Sequence, residues 1–268
     1  MGEFCSEIMT RLLRFMSWGL CGWVMASHAE SHTVLLGTFT RDKSEGIYAV
    51  QMDEDTGALA EAKLVARLPD PEFLALHPNG RVVYSLTREK DEWGREVGAV
   101  VAFRVDPASG ALTEIIRVAV GRGTFAHIAV DPAGRALFVA SYDGGYITSW
   151  ALDETGRLEG DGVLVKLDGP TGPNPGRQNA GHPHSVTVSA DGGFAFVADL
   201  GLDRVFAFRL SGDVASLDPH VVGDAVISPG SGPRHSTFSP DGRSFYVLNE
   251  LDGSITVFAY DATAGTLG

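Results

Sequence analysis

The chain contains 268 residues, of which 44% are hydrophobic, and it carries a formal net charge of −13 at pH 7. This length and apolar content suffice for one folded domain with its own core. A strongly acidic protein repels nucleic acid phosphates and anionic membrane surfaces, so we expect neither as a partner. Positive charge that binds a small anion must therefore be gathered locally.

The first 29 residues differ in kind from the rest. Arg11 and Arg14 precede an apolar run, Phe15–Ala26, which is followed by Ser27-His28-Ala29. A basic start, a short apolar segment and small residues at its end are typical of a cleavable secretory signal, too short for stable insertion into a bilayer. We predict a signal peptide over residues 1–29, cleaved after Ala29, and export to a bacterial periplasm.

Both cysteines, Cys5 and Cys21, lie within this predicted signal peptide. Residues 30–268 therefore contain no cysteine and can form no disulfide, which is compatible with an oxidising compartment. Cleavage would remove two acidic and two basic residues, so the net charge would stay at −13.

A turn of similar sequence recurs at nearly constant spacing along residues 30–268. Its copies are His77-Pro78-Asn79-Gly80, Asp131-Pro132-Ala133-Gly134, Ser189-Ala190-Asp191-Gly192 and Ser239-Pro240-Asp241-Gly242. The glycines are 54, 58 and 50 residues apart, and each copy lies between two strand-like runs. A repeat of about 40–50 residues built from short strands is typical of a propeller blade. We predict an all-β propeller of four-stranded antiparallel blades.

In chain order, β-branched and aromatic runs predict strands grouped into five units. The first unit has strands at 33–40 and 46–52. The second has 73–77, 81–87, 99–105 and 112–120; the third has 125–130, 136–141, 146–152 and 163–167. The fourth has 185–188, 194–198, 204–210 and 221–227; the fifth has 235–238, 244–248 and 254–260. We interpret residues 30–268 as about 4.5 blades of an incomplete propeller; a complete five-bladed ring or an open solenoid is the alternative.

Superposition of the units on the turn glycine aligns polar residues from different blades. Eight residues before it stand Glu72, Ala126, His184 and Arg234, and eight residues after it stand Arg88, Tyr142, Leu200 and Glu250. Adjacent strands are antiparallel, so the start of the first strand lies beside the end of the second. These positions should therefore converge on one face of the propeller, near its axis.

We predict a pocket for a small anionic ligand at this face. The residues that should form it are Arg177, His182, His184, Arg204, Arg234 and His235, with Asp199, Asn249 and Glu250 beside them. Arginine pairs bidentately with carboxylate or phosphate oxygens. Histidine or glutamate can exchange a proton with a substrate or activate a water near neutral pH.

Other roles are open for several of these residues. His182 and His184, two apart on an extended stretch, would point to one side as zinc ligands do. No third ligand is evident, and we expect no metal and no cofactor. His235 could satisfy backbone groups near the axis, and Arg204 could brace its loop by pairing with Asp203 or Asp199. The charged run 88–92 reads as a solvated loop.

Several short motifs stand in order along the chain. They are Leu36-Gly37-Thr38-Phe39-Thr40, Arg177-Gln178, His182-Pro183-His184-Ser185, Ala198-Asp199-Leu200-Gly201-Leu202-Asp203-Arg204-Val205, Gly232-Pro233-Arg234-His235 and Leu248-Asn249-Glu250-Leu251. With them the chain, from about residue 33 onward, resembles the seven-bladed propeller lactonase family, which includes bacterial 6-phosphogluconolactonase and fungal carboxy-cis,cis-muconate cyclase. The resemblance implies a metal-independent, lactone-handling enzyme with His184, Arg234 and Glu250 in its active site.

Three functions follow as hypotheses. The first is hydrolysis of a sugar lactone of the 6-phosphogluconolactone type, with Glu250 or His184 activating water and Arg234 holding the anionic group or the developing oxyanion. The second is a lactonising cyclase acting on an unsaturated dicarboxylate. The third is an exported propeller that binds its ligand without turnover. We expect the full-length protein to be a monomer.

Overall fold

A computed structural model describes residues 31–107, 109–210, 217–219 and 223–268. The predicted signal peptide lies outside these residues. The described chain forms five antiparallel sheets, each built from strands that follow one another in sequence. Within residues 31–268, so far as they are described, no helix is long and apolar enough to cross a membrane.

Each sheet is named here as a blade and given by its strands. Blade one contains β1 (Ser31–Leu36), β2 (Gly46–Asp53) and β3 (Lys63–Arg67). Blade two contains β4 (Leu74–Leu76), β5 (Val82–Lys90), β6 (Glu96–Val105) and β7 (Leu112–Arg122). Blade three contains β8 (Phe125–Val130), β9 (Ala136–Ser141), β10 (Tyr146–Leu152) and β11 (Leu158–Lys166). Blade four contains β12 (Pro183–Val188), β13 (Phe194–Asp199), β14 (Arg204–Leu210), β15 (Leu217–Pro219) and β16 (Ala225–Val226). Blade five contains β17 (Pro233–Phe238), β18 (Ser244–Asn249), β19 (Ile255–Asp261) and β20 (Thr266–Leu267).

The repeated turn joins the first two strands of blades two to five. Its glycines, Gly80, Gly134, Gly192 and Gly242, all have φ between +67° and +72°. This left-handed conformation is open to glycine at little steric cost, which explains why the turn sequence recurs. The predicted propeller architecture is confirmed.

Apolar side chains fill the space between successive blades rather than a single central core. In β5, Val83 belongs to a cluster shared with Ile47 of blade one, while its neighbour Tyr84 packs in a cluster with Ile128 and Trp150 of blade three. Alternate residues of a strand point to opposite faces of its sheet, so each inner strand serves two cores. The first strands β4, β8, β12 and β17 contact each other in that order and surround a common axis.

Several strand boundaries differ from those predicted. Strand β5 continues to Lys90, which pairs with Glu96, so Arg88 to Lys90 belong to a hairpin rather than a solvated loop. Blade one has a third strand, β3, that the sequence did not indicate. Strand β11 begins at Leu158, five residues before the prediction, with a register shift opposite Ser149 and Ala151 that the pattern could not reveal. In blade four, β14 pairs with both β15 and β16, and of the strand predicted over 221–227 the described residues 223–227 form a strand only at Ala225–Val226.

A β-bulge recurs at the start of the first strand in three blades. The register shifts between Phe125 and His127, between Pro183 and Ser185, and between Pro233 and His235. One residue is therefore extra in each case: Ala126, His184 or Arg234. A bulge bends the strand and redirects the side chain of the extra residue.

Candidate functional site

A cavity of about 610 Å³ opens where the first strands begin and the second strands end, and we call this end of the propeller the rim. Its lining comes from all five blades: Phe39, Glu72, Phe73, Thr124, Ala126, Tyr142, Arg177, His184, Arg234, His235 and Glu250. The bulge explains part of this convergence, because Ala126, His184 and Arg234 all face the cavity. Residues more than 200 positions apart in the chain thus share one opening.

Glu250 is the centre of the charged part of the cavity. Its Oε1 accepts a hydrogen bond from Nη2 of Arg177 at 2.5 Å, and its Oε2 accepts one from Nε of Arg234 at 2.8 Å. Nε2 of His184 lies 4.0 Å from the same Oε2. Nη2 of Arg177 also contacts the hydroxyl of Tyr142 at 3.3 Å. The prediction brought Arg177, His184, Arg234 and Glu250 together, and the structure places them in contact.

The two guanidinium groups determine the charge of Glu250. Burial by itself would raise the pKa of this carboxyl, but the hydrogen bonds and charges of Arg177 and Arg234 outweigh burial and leave the pKa below its ordinary value. Glu250 is therefore ionised at neutral pH. The cluster of Arg177, Arg234 and Glu250 keeps one net positive charge in a protein whose overall charge is −13.

His184 and His235, which line the cavity, belong to a group of neighbouring imidazole rings that also includes His127. The ring of His235 lies 5.1 Å from that of His184 and 5.8 Å from that of His127, measured between centroids. Burial, followed by the charge of Arg234, lowers the pKa of His184 to about 4, and the same two causes lower the pKa of His235. His184 is therefore neutral near pH 7 and able to accept a proton.

Blade two carries the reverse of the ion pair in blade five. Nη2 of Arg88 lies 2.6 Å from Oε1 of Glu72. Glu72 occupies the position that Arg234 holds in blade five, and Arg88 occupies the position of Glu250. Acid and base have thus exchanged places between equivalent sites. Arg88 was predicted to be solvated, but its side chain is only 24% exposed because it packs beside Glu72.

His182 and Asp199 do not line the cavity, contrary to the prediction. His182 is buried, with Nδ1 bonded to the carbonyl oxygen of Tyr142 and Nε2 to Oδ1 of Asn179, both at 2.9 Å. Oδ1 of Asp199 accepts the backbone N–H groups of His182, Gly201 and Leu202. Both residues therefore organise the turn beneath the rim. The bulge at His184 is why the two histidines do not act as a pair on one side.

Arg204 and Asn249 are also outside the cavity. Arg204 pairs with Asp224 at 3.5 Å, not with Asp203 or Asp199, because its strand neighbour in the sheet is β16. Asn249 is 1% exposed and donates hydrogen bonds to the hydroxyls of Ser254 and Thr256. In the described part of the chain, no group of three or more His, Cys, Asp or Glu side chains is placed to hold a metal ion.

The polar cavity residues that the prediction omitted include Glu72 and Tyr142. Both stood in the superimposed repeat, at the positions of Arg234 and Glu250 respectively. Their side chains differ in charge from those partners, so residue type alone gave no reason to select them. Position within the repeat was the signal that would have found them.

The fold and this rim define a β-propeller with a charged cavity at one end of its axis. Comparison with known proteins is more specific: residues 33–268 match the family model described as lactonase, 7-bladed beta-propeller. The chain belongs to this family of seven-bladed β-propeller lactonases.

Individual relatives agree with this assignment. The chain is 30% identical over 231 residues to the 6-phosphogluconolactonase of Bacillus subtilis, and the aligned region covers 86% of this chain and 63% of that protein. It is 30% identical over 228 residues to the 6-phosphogluconolactonase of Formosa agariphila, covering 84% and 64%. The structure of the periplasmic gluconolactonase of Pseudomonas aeruginosa superimposes with a TM-score of 0.77 at 32% identity, covering 89% of this chain and 66% of that one. The chain thus spans a little under two thirds of the length of the first two relatives.

Proposed function

We propose that the protein is a lactone hydrolase acting on a sugar lactone, with its site at the rim cavity. The single observation that carries this proposal is the contact of Glu250 with Arg177, Arg234 and His184 inside a cavity large enough for a small ligand. The names of the relatives, 6-phosphogluconolactonase and gluconolactonase, support the same class of substrate.

Hydrolysis needs a base, an anion-stabilising group and a proton for the leaving oxygen. In the proposed reaction, Glu250 or neutral His184 takes a proton from water as the water oxygen attacks the lactone carbonyl carbon. Arg234 stabilises the negative charge that develops on the carbonyl oxygen. The ring C–O bond then breaks, the ring oxygen receives the proton from the base, and a hydroxy acid results. Arg177 binds the new carboxylate or an anionic group already present on the substrate.

The test is hydrolysis of glucono- and 6-phosphogluconolactone by the full chain and by Arg234→Ala and Glu250→Gln. We expect each substitution to lower kcat by about 10²- to 10⁴-fold, the usual contribution of a positioned proton-transfer or oxyanion-binding group. Glu114→Gln, on the exposed side of β7, serves as the control and should retain activity. Unchanged turnover in both rim variants would overturn the proposed mechanism.

The same preparations distinguish the other hypotheses. Loss of ultraviolet absorbance from an unsaturated dicarboxylate of the muconate type, without lactone hydrolysis, would indicate a lactonising cyclase, because ring closure removes conjugation. Calorimetric binding of a sugar acid with no turnover of any lactone would indicate a ligand-binding propeller.

We also propose that the protein acts after export. The support is the basic and apolar N-terminal sequence, together with similarity to a gluconolactonase described as periplasmic. N-terminal sequencing of the protein from a periplasmic fraction should begin at Glu30. A cytoplasmic product that retains residues 1–29 would overturn this proposal.

A further inference from the structure

The cavity lining includes a second carboxylate, Glu72, that the proposed reaction does not use. Glu72 lines the cavity from blade two, whereas its partner Arg88 does not. In blade five, by contrast, both members of the pair, Arg234 and Glu250, line the cavity. The repeat thus places a cation cluster in one part of the lining and a carboxylate from blade two in another.

The environment of Glu72 suits a role in binding. Its side chain is 15% exposed, so it is held in place yet reaches the cavity. Oε1 is buried beside Arg88 and accepts no hydrogen bond of ordinary geometry, and no described residue donates one to Oε2. Burial raises the pKa of Glu72 above its ordinary value, although Arg88 acts against this. A shielded carboxylate with an unused oxygen is a strong acceptor for hydroxyl groups.

We infer that Glu72 binds hydroxyl groups of the substrate and selects polyhydroxylated lactones over lactones with a bare ring. This inference rests on the proposed function and adds a specificity-determining residue to it. Glu72 accepts hydrogen bonds from ring or side-chain hydroxyls, while the cluster of Arg177, Arg234 and Glu250 acts on the ester group. Its negative charge also repels an anionic substituent, which turns that substituent towards Arg177.

The expected effect follows from the nature of the contact. Loss of a hydrogen bond to a charged group lowers kcat/KM roughly 10- to 100-fold for a substrate that makes the bond. A substrate without hydroxyl groups makes no such bond, so its kcat/KM should change little. A purely structural role of the Glu72–Arg88 pair would lower both values together. The ratio of the two constants therefore separates recognition from stability.

The experiment compares D-glucono-δ-lactone with δ-valerolactone, which has the same ring size and no hydroxyl groups. Glu72→Ala should lose 10- to 100-fold in kcat/KM on the first and be nearly unchanged on the second, with Glu72→Gln intermediate because its amide oxygen still accepts. Glu89→Gln, one residue beyond Arg88 in β5 and bonded instead to Arg117, is the matched control and should behave as the parent.

The outcomes are distinguishable. Equal losses on both lactones, or none, would overturn the role of Glu72 and leave the proposed hydrolase intact. If Glu72→Ala fails to fold, the ratio measured for Glu72→Gln decides in the same way. Absence of turnover of either lactone by the unchanged chain would overturn the proposed function and this inference with it.

Discussion

Arg177 and Glu250 are 73 residues apart in the chain, yet Nη2 of the first lies 2.5 Å from Oε1 of the second. Arg177 sits in the long connection between blades three and four, whereas Glu250 follows the second strand of blade five. This ion pair joins the connection that precedes blade four to blade five at the margin of the cavity. It also controls the protonation of the carboxylate that the proposed mechanism uses.

Removal of Arg177 should therefore change the pH dependence of hydrolysis. The charged and titratable groups that face Glu250 are Arg177, Arg234 and the neutral His184, and both arginines lower the pKa of Glu250. An ionised base is needed, so the rate falls as the pH drops through the pKa of Glu250. In Arg177→Gln this acid limb should move to higher pH. Arg157→Gln, at an exposed turn, is the control, and an acid limb that stays in place in both variants would contradict the argument.

Asp199 should make stability depend on pH in the opposite sense to most carboxyls. Burial raises its pKa to about 6, despite three backbone hydrogen bonds. The folded state therefore holds a proton that the unfolded state releases near pH 4, and stability falls as pH rises from there through about 6. Asp199→Asn does not titrate, so its melting temperature relative to the parent should rise between pH 4 and 8.

A second variant gives the reverse slope as a check on the Asp199 prediction. Hydrogen bonds from Ser239 and from the backbone of Arg243 lower the pKa of Asp241. The stabilisation that ionised Asp241 adds to the folded state is fully present above the ordinary pKa of an aspartate, and it is lost as the pH falls through the lowered pKa of the folded state. Asp241→Asn should therefore lose melting temperature relative to the parent as pH rises over the acid range. Parallel trends for the two variants would refute the assignment.

Gly232 and Gly242 offer a matched pair for testing the loop that carries Arg234. Both have φ of +67°, but a Cβ at 232 would lie 2.6 Å from Cγ of Leu251, whereas a Cβ at 242 meets nothing within 4 Å. Gly242→Ala should cost about 1–2 kcal/mol of unfolding free energy and leave activity unchanged. Gly232→Ala should cost more and also lower kcat.

The reason for the extra cost lies in the hydrogen bonds of Gly232. Its N–H donates to Oδ1 of buried Asp203 at 2.8 Å, and its carbonyl oxygen accepts the N–H of Glu250 at 2.8 Å. Displacement of this residue moves both members of the Arg234–Glu250 pair. Equal effects of the two alanine variants in denaturant titration and in hydrolysis would show that the loop tolerates the added methyl group.

Tyr84→Phe tests the contact between blades two and three. The hydroxyl of Tyr84 donates to the carbonyl oxygen of Gly156 at 2.5 Å, and the side chain is fully buried. The variant should lose about 1–3 kcal/mol of unfolding free energy, because the buried carbonyl is left unpaired. Tyr246, 37% exposed, is the control, and its Phe variant should remain within about 0.5 kcal/mol in urea titration.

The repeat predicted the propeller because turn residues and β-branched runs act locally and appear in every blade. The outer strands of blade four were less predictable. Strands β15 and β16 are short, and no marked sequence pattern distinguishes the residues that pair with β14. At the rim, Arg234 and Glu250 could be selected because the other blades place unlike residues at the equivalent positions. Asp199 could not be distinguished from a residue that faces the ligand. Its carboxylate accepts three backbone N–H groups, and the turn that presents them cannot be predicted from residue types alone.

The recurring irregularity at the start of the innermost strands has an evolutionary consequence. A side chain that stands outside the ladder can be exchanged without altering strand pairing, so the rim can acquire new chemistry while the scaffold stays constant. Blade three holds only a methyl group at this place, in Ala126, whereas blades four and five carry an imidazole and a guanidinium there. A single substitution at Ala126 would therefore place a new functional group at the wall of the cavity.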